Sequence, residues 1–165
     1  MAAGSGNIAI EAIGFKRAAS VFAKMGVAAG DAIPFWEDEV IPDVERIEYQ
    51  MFKSQGRRGG GSWRFLQPET IAAKVRKGES PMINIATGAL LTSVSEGSGF
   101  DKPEYAIREV TPAMLRFGSS APGAAESQRE RPFLRFTHFD RARWARWFVQ
   151  YIVRVGRSST VSKDA

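Results

Sequence analysis

Ile33-Pro34-Phe35-Trp36-Glu37-Asp38-Glu39-Val40-Ile41-Pro42-Asp43-Val44-Glu45-Arg46-Ile47-Glu48-Tyr49-Gln50-Met51-Phe52-Lys53 is the stretch on which the fold class turns. Ile33, Trp36, Val40, Val44, Ile47 and Met51 recur at spacings of three and four, which places them on one stripe of a long helix. Pro34 suits a first helical turn, but Pro42 has no N–H to give to an interior one. The spacing therefore predicts a helix over 33–53 with a kink or fresh start at Pro42. Glu45, Arg46, Glu48 and Gln50 are expected on its wet side. Glu37, Asp38, Glu39 and Asp43, with Glu45 and Glu48, are read as a solvated face or a face meeting basic partners, not as a converging catalytic or metal-binding set.

Upstream, weak alternation over Asn7–Ile13 predicts a short strand, and the spacing of Phe15, Ala19 and Phe22 predicts a helix over 15–28. Downstream, Gln55–Ser62 reads as a flexible loop, because three consecutive glycines, Gly59, Gly60 and Gly61, leave nothing to pack. Pro68 opens a short helix that Gly78 ends. Thr87 is the expected cap of another short helix running to Val94. Residues 104–110 and 113–118 read as two strands joined at Thr111-Pro112. Ser119–Glu130 reads as a mobile arm or loop, and Arg131–Thr137 as a further strand. His138–Val155 is the clearest helix. Trp144, Trp147, Phe148, Tyr151, Ile152 and Val155 form its apolar arc, with Arg143, Arg146, Arg154 and Arg157 expected opposite. Residues 158–165 read as a flexible tail. The whole is an α+β chain: a small antiparallel β-sheet packed by a long helix, short helices and a C-terminal amphipathic helix, forming a single domain over 1–157.

A chain of 165 residues can bury roughly 70% of the surface it exposes when unfolded. Its net charge is +5, and the excess is dispersed, mostly as arginine. Such a balance fits nucleic acid, an acidic partner or plain solubility. No apolar run is long enough to span a bilayer, and the N-terminus does not have the form of a secretion signal. There is no cysteine and only one histidine, so thiolate chemistry is excluded and a zinc site nearly so. The glycine loop is not a nucleotide cradle, because Trp63 follows Ser62 where a lysine would be needed. His138 lies close to Asp140, but no nucleophile elbow accompanies the pair. A structural role near a helix start is the expectation for His138. No catalytic residue, cofactor or metal ligand is assigned.

The order of motifs resembles the tailed-phage virion morphogenesis family of tail-completion and neck proteins. The residues that carry it are Phe52, Gly56, Trp63, Leu66, Pro68, Thr70, Lys74, Thr87, Gly88, Leu90 and Ser93. They continue with Gly118, Ser119, Arg131, Pro132, Phe133 and Leu134. The resemblance spans about 33–155. It departs at Ala121-Pro122-Gly123-Ala124-Ala125-Glu126-Ser127-Gln128, and at Gln67, where the family usually has a serine. What it implies is a non-enzymatic subunit of the phage head–tail junction. Such a subunit is assembled in the bacterial cytoplasm into a ring, expected to be hexameric, between connector and tail proteins.

The implied fold-motif residues are Thr87, Gly88, Leu90, Arg131, Pro132 and Phe133. The candidate assembly residues are Arg57, Arg58, Gly59, Gly60, Gly61, Trp63, Ala121, Pro122, Gln128, Arg129, Arg143 and Arg146. Tail terminator and head-closure roles are alternatives within this reading. A basic nucleic-acid-binding accessory protein, or a small hydrolase, would belong to another class. Non-specific contact with genomic DNA in the channel is compatible with any ring role.

Overall fold

The computed structural model describes residues 8–11, 31–58, 62–85, 87–95 and 104–161. It is an α+β protein, as the periodicities predict. The elements are β1 (Ile8–Glu11), α1 (Ile33–Phe35), a π-helical turn (Trp36–Val40), α2 (Ile41–Lys53), α3 (Pro68–Arg76), α4 (Ala89–Val94), β2 (Ala106–Thr111), β3 (Met114–Ser119), α5 (Ala124–Glu130) and α6 (His138–Val161). The sheet runs β1-β3-β2. The expected helix over 15–28 lies outside the described residues.

The chain divides into two compact units. The first comprises Met1–Ile10, Asp43–Arg108 and Phe117–Arg135, and the second Glu11–Pro42, Glu109–Arg116 and Phe136–Ala165. The β2–β3 hairpin contributes its base to the first unit and its tip to the second.

In the second unit, Pro42 acts one turn earlier than expected. Proline cannot donate to the carbonyl four residues back, and its ring crowds that carbonyl. The preceding turn widens accordingly. The Ile41 amide donates to the Trp36 carbonyl, five residues back, and the disturbance is absorbed as a π turn. Phe35 and Trp36 are thereby buried. The Phe35 ring meets Phe148 edge-on at 5.1 Å and Tyr151 at 5.6 Å.

The α6 helix begins with a reciprocal cap. The Thr137 amide donates to Asp140 Oδ2 at 2.8 Å, and the Asp140 amide donates to Thr137 Oγ1 at 3.3 Å. On α6, Trp144, Phe148, Tyr151 and Ile152 are buried, as the arc predicts. Two details differ. Arg143 does not project freely: it reaches back to Asp140 Oδ1 at 3.2 Å, with its guanidinium over the Trp147 ring. The helix also runs on to Val161, through four residues expected to belong to a flexible tail (158–161).

In the first unit, the core gathers Ile47, Phe52, Trp63, Ile83, Val94 and Phe133. Asp43, Glu45 and Glu48 are buried and so are not a wet face. Asp43 and Glu45 instead meet basic partners, the other reading the sequence allowed. Arg46 pairs with Asp43 one turn away. Arg108, on β2, donates through Nε to Glu45 Oε1 at 2.6 Å and through a terminal nitrogen to the Ser93 carbonyl at 3.2 Å. Its guanidinium also lies over the Phe117 ring. One arginine thus ties α2, α4 and β3 together. β3 buries more of its length than β2 because it is the middle strand.

Two segments depart from expectation in this unit. Residues 119–130 are not a loop throughout: Ser119, Ala121 and Ala124 are buried, and 124–130 form α5 behind Gly123 at φ +76°. Residues 131–137 are irregular, not a strand. Their backbone groups find side-chain partners in place of a ladder. Gln128 Oε1 accepts from the amides of both Phe133 and Leu134 at 3.0 Å, and Trp63 Nε1 donates to the Pro132 carbonyl at 3.0 Å.

Candidate functional site

The residues that carry the family resemblance meet in the first unit. The α2 helix ends in a left-handed cap: Gln55 sits at φ +54° and Gly56 at φ +83°. The Gly56 amide returns to the Met51 carbonyl at 2.9 Å, and that of Gln55 to Phe52 at 3.1 Å. This reversal lays Gly56 against the face of the Trp63 indole. A Cβ at Gly56 would lie 2.4 Å from Trp63 Cγ. Phe52 meets the indole edge-on at 5.3 Å and Phe133 at 5.8 Å. Gln55 completes the corner, its Nε2 donating to the Phe52 carbonyl and its Oε1 accepting from the Ile83 amide, both at 2.7 Å.

The short helices carry the rest of the motif. Pro68 starts α3, and Gly78 at φ +72° closes it. Lys74 donates to the carbonyls of Met82 at 2.6 Å and Ile85 at 3.0 Å, clamping the following loop onto α3. Burial holds the Lys74 ammonium below the ordinary lysine pKa. Glu79 opposes that shift, and Arg131 adds to it. The cap of α4 is Gly88 at φ +86°, not Thr87; Thr87 is exposed and only receives the Ala89 amide at 3.4 Å. Leu90 is buried. Ser93 and Ser119, both fully buried, join their hydroxyls at 2.6 Å across to the end of β3.

Two clefts open on this unit. One, of about 690 Å³, is lined by Arg64, Phe65, Gln67, Thr70, Glu130 and Arg131. Phe65 is 73% exposed beside it. The other, of about 500 Å³, is lined by residues including Lys74, Thr87, Gly88, Tyr105, Pro122 and Ser127. The exposed apolar side chains of Ile71 and Val75 lie one turn apart on α3, a helix with no buried residue.

The second unit has its own apolar surface. Val149 and Val153 lie one turn apart on α6 and, with Gln150 and Arg154, line a groove of about 370 Å³. Arg154 donates to Glu39 Oε1 at 2.6 Å, so the acidic π turn borders this groove. Tyr151 donates its hydroxyl to the Asp31 carbonyl at 2.8 Å. Burial raises its pKa, Asp31, Asp38 and Glu39 raise it further, and Arg154 opposes them.

The assembly candidates therefore separate. Arg57, Pro122, Arg129 and Arg146 are exposed, while Arg58, Gln128 and Arg143 are half-buried. Trp63 and Ala121 are buried inside the first unit, so they act through packing. Gly59, Gly60 and Gly61 lie outside the described residues. Among the exposed apolar residues that sequence reasoning missed are Phe65, Val149 and Val153. Phe65 lies in an irregular segment with no periodicity to read, and Val149 and Val153 flank the apolar arc of α6, where the sequence does not mark the arc's edge. Among the described residues, no group of three or more His, Asp and Glu is placed to hold a metal ion. None of their helices is long and apolar enough to cross a membrane. His138 is exposed at the start of α6 with its ring against Phe139 at 3.8 Å, and Asp140 is engaged in capping.

No protein-family model matches this chain, and comparisons with curated proteins and with solved structures find no match.

Proposed function

We propose that this protein is a structural subunit of a bacteriophage head–tail junction, a tail-completion ring protein that joins the tail to the DNA-filled head. One observation carries the reading. Motif residues far apart in the sequence, Phe52, Gly56, Trp63, Pro132 and Phe133, pack as one corner of a single compact unit. The reading thus draws on a packing role these residues share, beside their order along the chain.

A building role agrees with the rest of the molecule. The polar groups traced above serve caps, clamps and ion pairs. The large exposed side chains Phe65, Val149 and Val153 serve no packing role within their own units. A ring subunit needs two different contact faces for head-to-tail closure. Electron microscopy of particles made without this protein tests the proposal. Complete heads and complete tails, unjoined, are the expected product. Normally joined particles would overturn it.

A further inference from the structure

We propose that Phe65 of one copy docks in the Val149–Val153 groove of the next, with Arg64 facing the acidic turn beside that groove. This inference rests on the ring reading and names the faces that would make the contact.

Phe65 is a large ring, 73% exposed, on a short irregular segment between buried Trp63 and the first turn of α3. Trp63 is locked by Gly56, Phe52 and the Pro132 carbonyl, so the base of the segment is rigid. A rigidly mounted aromatic loses little conformational entropy on docking. On the second unit, Val149 and Val153 are 49% and 47% exposed and line a groove of about 370 Å³. That is ample room for one phenyl ring.

Charge selects the occupant. The cleft beside Phe65 carries Arg64 and Arg131. Glu130 sits against Arg131 at 3.6 Å, so the charge presented next to Phe65 is chiefly that of Arg64. Arg154, which lines the Val149–Val153 groove, is paired with Glu39, and the turn that carries Glu39 also carries exposed Glu37 and Asp38, so the unpaired charge of that turn is acidic. A basic aromatic knob and an apolar groove beside an acidic turn on one chain are complementary between copies. The contact is heterologous: the two surfaces differ, so copies add head to tail.

Nucleic acid fits the knob less well. The cleft beside Phe65 includes Glu130, Leu66, Gln67 and Thr70, with exposed Glu69 nearby in sequence, in place of a basic track. A single docked phenylalanine accounts for roughly 150–250 Å², well below the roughly 1,000 Å² of a stable interface. Free copies should therefore associate weakly, and the contact should be trapped chemically.

The chain has no cysteine, which makes the trap clean. Gln67→Cys, beside the knob, and Gln150→Cys, in the groove, are made as separate variants of the full chain, mixed in equal amounts and treated with a short bismaleimide. Exposed Thr111→Cys, mixed with Gln150→Cys, gives the background of random collision. The expected result is a cross-linked dimer several-fold above that background, and a ladder of multimers from the double variant. Phe65→Ala or Arg64→Glu in the Gln67→Cys partner should lower the yield several-fold. Asp38→Lys in the Gln150→Cys partner should restore the loss caused by Arg64→Glu. A mixed yield equal to background, or one unchanged by Phe65→Ala, would overturn the proposal. So would stronger pairing of Gln67→Cys with itself, which would mean an isologous contact, or a failed charge swap, which would mean a different occupant. Because the probe positions are exposed, misfolding does not confound the result, and circular dichroism of each variant verifies this. Failed cross-linking with the protein still present in particles would sink the interface alone. Cross-linking with the protein absent from particles would sink the junction role alone.

Discussion

Glycine positions separate two physical demands that the sequence writes with the same letter. Gly56 needs both a left-handed backbone and empty space, because the Trp63 indole occupies the place of a side chain. Gly123 needs only the backbone: its φ is +76° and nothing lies within 4 Å of an added Cβ. Gly123→Ala should thus destabilise by about 1 kcal/mol, the ordinary left-handed penalty. Gly56→Ala should add an overpacking term of roughly 1–3 kcal/mol to that penalty. Urea denaturation of the two variants checks the difference; equal midpoints would refute the packing role of Gly56. Gly88→Val, at φ +86° on a buried residue, should also fail to fold normally, seen as loss of soluble protein. That glycines matter near 56 and 88 can be read from the sequence. Which of them is pressed by an indole cannot, since Trp63 approaches only after the chain reverses.

At the scale of elements, two polar devices decide local stability. The Thr137–Asp140 box starts α6, and a threonine three residues before an acid at a helix start is a readable signal. Asp140→Ala should cost about 0.5–2 kcal/mol through the lost cap, with a further loss because Arg143 is left without that carboxylate. Thermal unfolding followed by circular dichroism reports it. The Arg108–Glu45 pair is the opposite case. Nothing along the chain announces it, since the partners belong to a strand and a helix far apart in sequence. Both side chains are largely removed from water, so deleting one leaves a buried charge. Arg108→Ala should cost about 3–5 kcal/mol, and Arg108→Ala with Glu45→Gln should recover part of the loss. If the double variant is no more stable than the single one, the pair is not the cause. The π turn teaches the same lesson. Pro42 predicts a break, but the break appears where the chain can widen, at Trp36–Val40.

For the whole molecule, the alkaline limit of stability should involve Tyr151. Its folded pKa is raised above the ordinary value of 10.0, so its contribution is fully present below pH 10.0 and is lost as pH climbs through the folded value. Tyr151→Phe should flatten the fall in stability above pH 10, although it also gives up the hydroxyl bond to Asp31. Denaturant midpoints measured across that range would show the flattening, and parallel curves for the two proteins would exclude it.

The α+β class, the long helices and the hairpin were set by the sequence alone, because periodicity, proline and glycine act over a few residues. Tertiary structure decided the rest. It buried Glu45 beside Arg108, since only packing brings that distant arginine to the acid. It made 124–130 a helix and 131–137 irregular, since Gln128 and Trp63 satisfy backbone groups there that a strand ladder would otherwise claim. It also left Phe65 and Val149 in water, because exposure depends on what the folded chain fails to cover, and no local pattern records that.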